Sequence, residues 1–303
     1  MKQEIIDKLL SQKQQGGSAW KSDNSLYQYM MEYENLHGID FDHPKKEDFL
    51  DMLYSQKNVD IASVKIKLQT IRRYIGESCP DHMYEIPDTS EIDLSMAARA
   101  QLVASLEEVY SRLSLAYSPD DGDSIYPLCS FAWMGIPFKD AIRIKTEDVD
   151  LEYGLIDYKG DLIFDKMPQN MIDILRRYRA VKSVRRDNRK IEYPDGRPEF
   201  IYKTVSHGSK RAGSPINTGA MTTWFTMVQE KYNAIHVEHI FMSYQDIIRS
   251  AKFYRMRQLE LEGVDWALRS NSSLLRKVYM SDRAETGDIR YNYEMYKKAF
   301  GLK

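Results

Sequence analysis

The sequence predicts a mainly α protein with a small β-hairpin or sheet, an α+β fold. Apolar residues recur at helical spacing along most of the chain. Two short apolar runs around the turn residues Lys159 and Gly160 are instead typical of a hairpin. A chain of 303 residues is also long enough to form two ordinary domains, each with a core of its own.

The N-terminal region, residues 1–78, is expected to be a small all-α domain. Ser22 or Asp23 is suited to cap its second helix, and Pro44 begins the third. The predicted helices cover 2–13, 22–36, a stretch from 44 onward, and 59–75, where Val64, Leu68, Ile71 and Ile75 share one face. Residues 79–92 contain two prolines and no apolar periodicity, so we expect a linker to a second domain at 93–303.

The second domain is predicted to begin with a long helix, Leu94–Leu115, and a buried helix, 124–134. Gly135 ends the buried helix, and Pro137 begins the next one, because the missing N–H of proline costs nothing at a helix start. Asp148 to Asp150 end that short helix before the hairpin. The remaining predicted elements are helices at 171–184, 216–232, 247–261, 274–278 and 288–300, a strand at 200–202 and a polar loop at 203–214.

The sequence carries no sign of a membrane, secreted or cofactor-dependent protein. It has no run of 18 apolar residues, and its N-terminus lacks the apolar core of a signal peptide. Cys79 and Cys129 lie far apart, and His236 and His239 have no second ligand pair, so no metal site is expected. Since P-loop, dinucleotide and hydrolase motifs are also missing, we expect a cytoplasmic protein that uses no cofactor.

Charge is distributed unevenly along the chain. The formal net charge is −4 over residues 1–90, −9 over 91–175 and +11 over 176–303. Eight basic residues fall within the 15 residues from Arg176 to Lys190. A positive block on a nearly neutral chain favours a polyanion partner over a merely solvated basic face.

One stretch, residues 129–156, resembles the first catalytic box of the tyrosine recombinase (phage integrase) family. The family pattern places a Gly, an Arg, an acidic residue and an Asp-Val/Ile-Asp turn along two short helices. The matching residues are Gly135, Ile136, Asp140, Ile144, Asp148, Val149 and Asp150. Pro137 stands where the family has its first catalytic Arg.

A second stretch resembles the family's His-x-x-Arg box. Arg249 fills the place of the second catalytic Arg, and Asp246 replaces the His. The segment Leu261–Asp265 is similar to the family sequence that follows this box. The distance from Arg249 to Gly263 is slightly long, and a shifted register would put Lys252 in the Arg place.

The remaining family positions are ambiguous. Residues 270–279 are similar to the end of the second box, with Ser270 or Asn271 at a His place and Tyr279 at the nucleophile place. Tyr291, Tyr293 and Tyr296 are rival nucleophiles. In the family a hairpin Lys reaches the DNA minor groove, and Lys159 is the better match for it, with Lys166 the alternative.

The resemblance implies an N-terminal core-binding domain and a C-terminal catalytic-type domain that hold double-stranded DNA between them. Family members cut DNA without a metal, using a Tyr nucleophile and a set of Arg, Lys and His residues around the phosphate. Loss of several members of such a set should nearly abolish cleavage. The expected function is therefore a sequence-specific DNA-binding regulator, similar to the integrase-like repressors of lysogeny of SPbeta-type Bacillus prophages.

Two other functions stay open. One is an active recombinase that uses Tyr279, and the other is an α-helical protein-interaction module. We expect the C-terminal helix to pack on its own domain or to dock on a neighbouring protomer, and we expect a protein or peptide antagonist. The candidate DNA-binding residues are Arg249, Lys252, Lys159, Arg176, Arg177, Lys182, Arg185, Arg186, Lys210, Arg211, Lys65, Arg72 and Arg73.

Overall fold

The computed structural model confirms the predicted fold class: helices dominate, and two small antiparallel sheets accompany them. The residues it describes are 1–56, 61–119, 125–158, 161–162, 166–180, 183–186, 189–192, 218–237, 239–265 and 286–303. The chain forms two compact units, one of Met1–Arg99 with Glu285–Lys303, and one of Ala100–Ala284.

The first unit is a helical bundle with a single apolar core. Its helices are α1 (Gln3–Ser11), α2 (Ser18–His37), α3 (Lys46–Ser55), α4 (Ile61–Ser78), α5 (Ser95–Gln101, whose last two residues belong to the second unit) and the last helix of the chain, α12 (Thr286–Ala299). The four α4 residues predicted to share one face, Val64, Leu68, Ile71 and Ile75, are fully buried. Because α2 begins at Ser18, Asp23 lies inside the helix, so the predicted cap at 22 or 23 is wrong.

Residues 79–92 belong to the first unit and contribute to its core. They form two 3-10 helices, Pro80–Glu85 and Thr89–Glu91. Ile86 and Ile92 are buried there, so the segment expected as a linker is anchored by apolar contacts. This division, which also includes α12, differs from the expected bounds of 1–78 and 93–303.

The predicted helix Leu94–Leu115 is wrong, because the chain forms α5 and then a separate helix α6 (Leu106–Ser114). Ser105 caps α6: its hydroxyl oxygen accepts from the Glu108 N–H at 3.3 Å, and the Glu108 carboxylate accepts from the Ala104 N–H at 2.7 Å. This reciprocal pair satisfies two backbone donors that a helix start leaves open. The break therefore has a local cause that the sequence Ser-x-x-Glu contains.

The second unit is built around the buried helix α7 (Ile125–Trp133). The other helices are α6, α8 (Phe138–Ala141), α9 (Gln169–Ala180), α10 (Thr218–Ile235) and α11 (Tyr244–Leu261). Strands β1 (Val149–Asp150), β2 (Leu155–Tyr158) and β3 (Asp161–Leu162) form one antiparallel sheet in that order, with Tyr158 opposite Asp161 at the predicted hairpin.

The predicted helix 171–184 ends early, at Ala180. Strand β4 (Ser183–Arg186) follows and pairs with β5 (Arg189–Glu192), with Val184 opposite Ile191. β-branched residues such as this pair favour strands over helices. The predicted strand 200–202, loop 203–214 and helix 274–278 lie outside the described residues.

Candidate nucleic-acid interface

The turn between α7 and α8 has the conformation that its sequence predicts. Gly135 adopts a φ of 85°, a left-handed conformation that favours glycine, and its N–H donates to the Ala132 carbonyl at 2.9 Å. Pro137, with a φ of −59°, then precedes the first residue of α8. The position that the family fills with its first catalytic Arg is therefore an uncharged helix start.

Helix α11 is tied to this turn by two buried hydrogen bonds. The Tyr244 hydroxyl donates to the Ile136 carbonyl at 2.9 Å. The Arg255 guanidinium donates to the Trp133 carbonyl at 2.7 Å. Arg255, which sequence analysis did not single out, therefore holds the two recombinase-like segments together.

The N-terminus of α11 contains Asp246, which sequence analysis predicted to stand at the family's His position. Ser243 caps the helix: its hydroxyl oxygen accepts from the Asp246 N–H at 3.3 Å and donates to Asp246 Oδ2 at 2.5 Å. The other carboxylate oxygen, Oδ1, lies 3.2 Å from Arg249 Nη1. Asp246, whose side chain is only 2% exposed, therefore serves as both a capping residue and the ion-pair partner of Arg249. The sequence Ser-x-x-Asp carried a signal for this arrangement.

Three basic residues, Arg249, Lys252 and Arg255, follow one another at three-residue intervals along α11. Burial, together with the charges of Arg249 and Arg255, lowers the pKa of Lys252 to about 8. The Arg249 side chain is 21% exposed, so part of it is accessible from solvent. A partly buried group of cations that includes one partly exposed arginine is suited to bind an anion such as a phosphate.

The acidic residue of the first box, Asp140, has a structural partner. Its carboxylate accepts a hydrogen bond from the Tyr158 hydroxyl, which connects α8 to strand β2. Lys166, one of the two candidate hairpin lysines, is exposed. Lys159, the better sequence match, lies outside the described residues.

The basic cluster of 176–190 begins on the exposed face of α9. Arg176, Arg177 and Arg179 are all exposed, and Arg176 donates to the Leu151 carbonyl at 3.0 Å. Arg185 and Arg186 lie in β4, where only the backbone is described. The candidates Lys182, Lys210 and Arg211 lie outside the described residues.

In the first unit, the candidate residues of α4 are only partly available to a ligand. Lys65 is exposed. Arg72 lies 3.2 Å from an Asp88 carboxylate oxygen, and Arg73 lies 3.0 Å from the buried carboxylate of Asp23. These ion pairs offset part of the positive charge that the sequence places on this helix.

The rival nucleophiles at the C-terminus lie in α12, within the core of the first unit. Tyr293 and Tyr296 are buried, and the Tyr291 hydroxyl donates to the Ile92 carbonyl at 2.6 Å. A side chain in the core has no access to a DNA backbone, so Tyr293 and Tyr296 are poor nucleophile candidates. Tyr279, Ser270 and Asn271 lie outside the described residues.

Among the described residues, no group of His, Cys, Asp and Glu side chains is arranged to hold a metal ion. In that same part of the chain, no helix combines the length and the apolar character needed to cross a membrane.

The chain is similar over most of its length to solved structures of one integrase, at low identity. No family model and no curated protein matches it. The Tn1549 transposon integrase (residues 82–397) in complex with circular intermediate DNA is 14% identical, and the match covers 97% of this chain and 94% of that chain at a TM-score of 0.38. A variant of that integrase in complex with transposon right end DNA is also 14% identical, and the match covers 96% and 98% of the two chains at a TM-score of 0.37.

Proposed function

We propose that the chain is a sequence-specific double-stranded DNA-binding protein on a tyrosine recombinase-type scaffold that has lost its cutting machinery. Its biological role would be that of a phage transcriptional regulator, similar to the repressors of lysogeny of SPbeta-type prophages. The observation that carries the proposal is the pair Asp246–Arg249 at the start of α11. It retains a cation for a phosphate and places a buried carboxylate where the family's chemistry needs a His.

The loss of cutting follows from electrostatics. Strand cleavage builds negative charge on the phosphate oxygens, and preorganised donors and cations stabilise that charge. Pro137 supplies no charge at the first Arg place, and the Asp246 carboxylate has the wrong sign at the His place. Removing one such donor commonly costs about 10²–10³ in rate, and here several are replaced.

DNA binding survives this loss, because binding needs phosphate contacts and not the full catalytic set. Arg249 has five N–H donors, and the ion pair with Asp246 uses one nitrogen of the guanidinium. The exposed Arg176, Arg177 and Arg179 of α9 add positive charge in the same unit. Together they support a phosphate-binding surface in the second unit.

The second candidate function is an active recombinase, which the retained Arg249 and Tyr279 favour. Covalent capture separates the two functions. The protein is incubated with DNA that carries a nicked suicide site, and adducts are resolved on a denaturing gel. We expect a gel shift without a covalent adduct, whereas an adduct that disappears in Tyr279→Phe would overturn the regulator proposal.

A third candidate is a protein-interaction module with no role in DNA binding. Its expected result is the absence of both heparin retention and a gel shift on phage operator DNA. The regulator proposal also includes a protein or peptide antagonist that releases the protein from DNA. Footprinting on DNA near the gene would identify the site on which such an antagonist can be tested.

A further inference from the structure

We propose that Asp246 is an internal competitor for phosphate, which keeps the DNA affinity of this protein below what its cations would otherwise give. This inference rests on the proposed DNA-binding function and assigns to Asp246 a role in setting affinity. The role goes beyond the loss of catalysis, because it concerns the strength of binding and its dependence on salt.

The geometry places the carboxylate where a phosphate would interact. Asp246 Oδ1 lies 3.2 Å from Arg249 Nη1, and the Ser243 hydroxyl holds Oδ2 at 2.5 Å. Both oxygens are therefore engaged, and the side chain is 2% exposed, so it has little freedom to turn away. Arg249 is more exposed, at 21% of its side chain, so part of that side chain is accessible from solvent.

The physical chemistry of the pair makes the two anions compete. A guanidinium binds a carboxylate and a phosphate through the same planar donors. A phosphate at Arg249 would share that guanidinium with a fixed negative charge a few ångströms away, and like charges at an interface oppose binding. Since the carboxylate is buried and accepts a hydrogen bond from the capping Ser243, we expect it to stay in place when DNA binds.

The test compares DNA binding by the full-length wild type and by Asp246→Asn, which keeps the size of the side chain and removes its charge. Binding to a labelled 30-base-pair duplex is measured by fluorescence anisotropy between about 50 and 200 mM salt. We expect Asp246→Asn to bind at least about tenfold more tightly at the lower salt concentration. We also expect its log–log salt slope to steepen by up to about 0.9.

The matched control is Glu108→Gln. Glu108 occupies the same position in the cap of α6, and its carboxylate pairs with Arg112 four residues later at 2.7 Å. The substitution therefore removes one carboxylate, one cap contact and one intrahelical ion pair from the same unit. It should change DNA affinity by less than about twofold, because the Glu108 carboxylate pairs with Arg112 and not with Arg249.

The outcomes separate this inference from the proposed function. If the wild type binds DNA and Asp246→Asn binds no more tightly, Asp246 is not a competitor, although DNA binding stands. An equal gain in Glu108→Gln also overturns the inference, because net charge alone would then explain it. If neither the wild type nor Asp246→Asn binds DNA, both proposals fail. Should thermal unfolding show that Asp246→Asn does not fold, Asp246→Ser replaces it with the same expected result.

Discussion

At the scale of single residues, the proposed loss of cutting depends on two positions. Pro137 precedes the first residue of α8 where the proposal expects a catalytic Arg, and Asp246 supplies a buried carboxylate where it expects a His. Both residues are well suited to local structure: proline precedes the first residue of α8, and the Asp246 carboxylate accepts a hydrogen bond from Ser243, which caps α11. Local stability and cleavage chemistry therefore favour different residues at these positions.

The first prediction at this scale concerns Pro137→Arg. Restoring the Arg alone should not restore strand cleavage, because the Asp246 carboxylate remains next to Arg249. The assay is covalent capture on a suicide substrate, with the wild type as the control. An adduct formed by the single variant would show that Asp246 does not occupy the family's His place.

A second residue-scale prediction concerns Lys252 and pH. Its pKa is lowered from 10.5 to about 8 in the folded protein, by burial first and then by Arg249 and Arg255. Between those values the folded protein has released a proton that the unfolded chain still holds. The free energy of unfolding should therefore rise as pH increases from about 8 to about 10.5. Below pH 8 both states hold the proton, so this gain in stability is absent.

The variant Lys252→Met removes the titrating group and should flatten this part of the stability profile. Denaturant unfolding at several pH values measures it, and Lys166→Met, at an exposed lysine, is the control. An unchanged profile in Lys252→Met would mean that Lys252 keeps an ordinary affinity for its proton in the folded state.

At the scale of elements, the last helix has an unexpected position. Helix α12 packs in the unit formed by residues 1–99, where the Asn292 side chain accepts from the Ile61 N–H at 3.0 Å and Arg99 lies over the Phe300 ring. Sequence analysis expected it to pack on its own domain or on another protomer. Because its apolar face is covered within the first unit, docking on a second copy would require α12 to leave these contacts.

The prediction that follows is that α12 stabilises the first unit. Tyr293→Ala should lower the free energy of unfolding by about 3 kcal/mol or more, since the ring is fully buried. Tyr153→Ala, at an exposed ring, should change it by less than about 0.5 kcal/mol. Equal denaturation midpoints for the two variants would contradict this packing.

A separate measurement, sedimentation of the protein with and without residues 286–303, tests whether the helix also joins protomers.

The elements also indicate what the sequence could predict. The face of α4 and the turn at Gly135 follow from helical periodicity and from glycine and proline chemistry, which are local. The break before α6 was also local, because Ser105 caps the helix and the Glu108 carboxylate accepts from the preceding Ala104 N–H. The bond from Arg255 to the Trp133 carbonyl could not be predicted, since it joins residues 122 positions apart that only the folded chain brings together.

At the scale of the whole molecule, the chain is acidic in its first two parts and carries a net charge of +11 over residues 176–303. Such an asymmetry directs a polyanion toward one region of the chain. The ion pairs of Arg72 and Arg73 in the first unit offset positive charge there, and in α9 Arg176 lies 4.0 Å from Asp173 while Arg176, Arg177 and Arg179 are all exposed. The dominant phosphate contacts are therefore expected in the second unit.

The central claim, that a retained recombinase-type Arg binds DNA phosphates, is tested most directly by salt titration of Arg249→Ala. Phosphate contacts carry no sequence information, so the variant should bind specific and random DNA more weakly to a similar extent. Its log–log salt slope should also fall by about 0.9, the value for one lost phosphate contact. Arg257→Ala, on the same helix but paired with Glu260 at 2.6 Å, is the control and should retain the wild-type slope. An Arg249→Ala variant with unchanged affinity and slope would contradict the account, because the retained Arg would then not be a phosphate ligand.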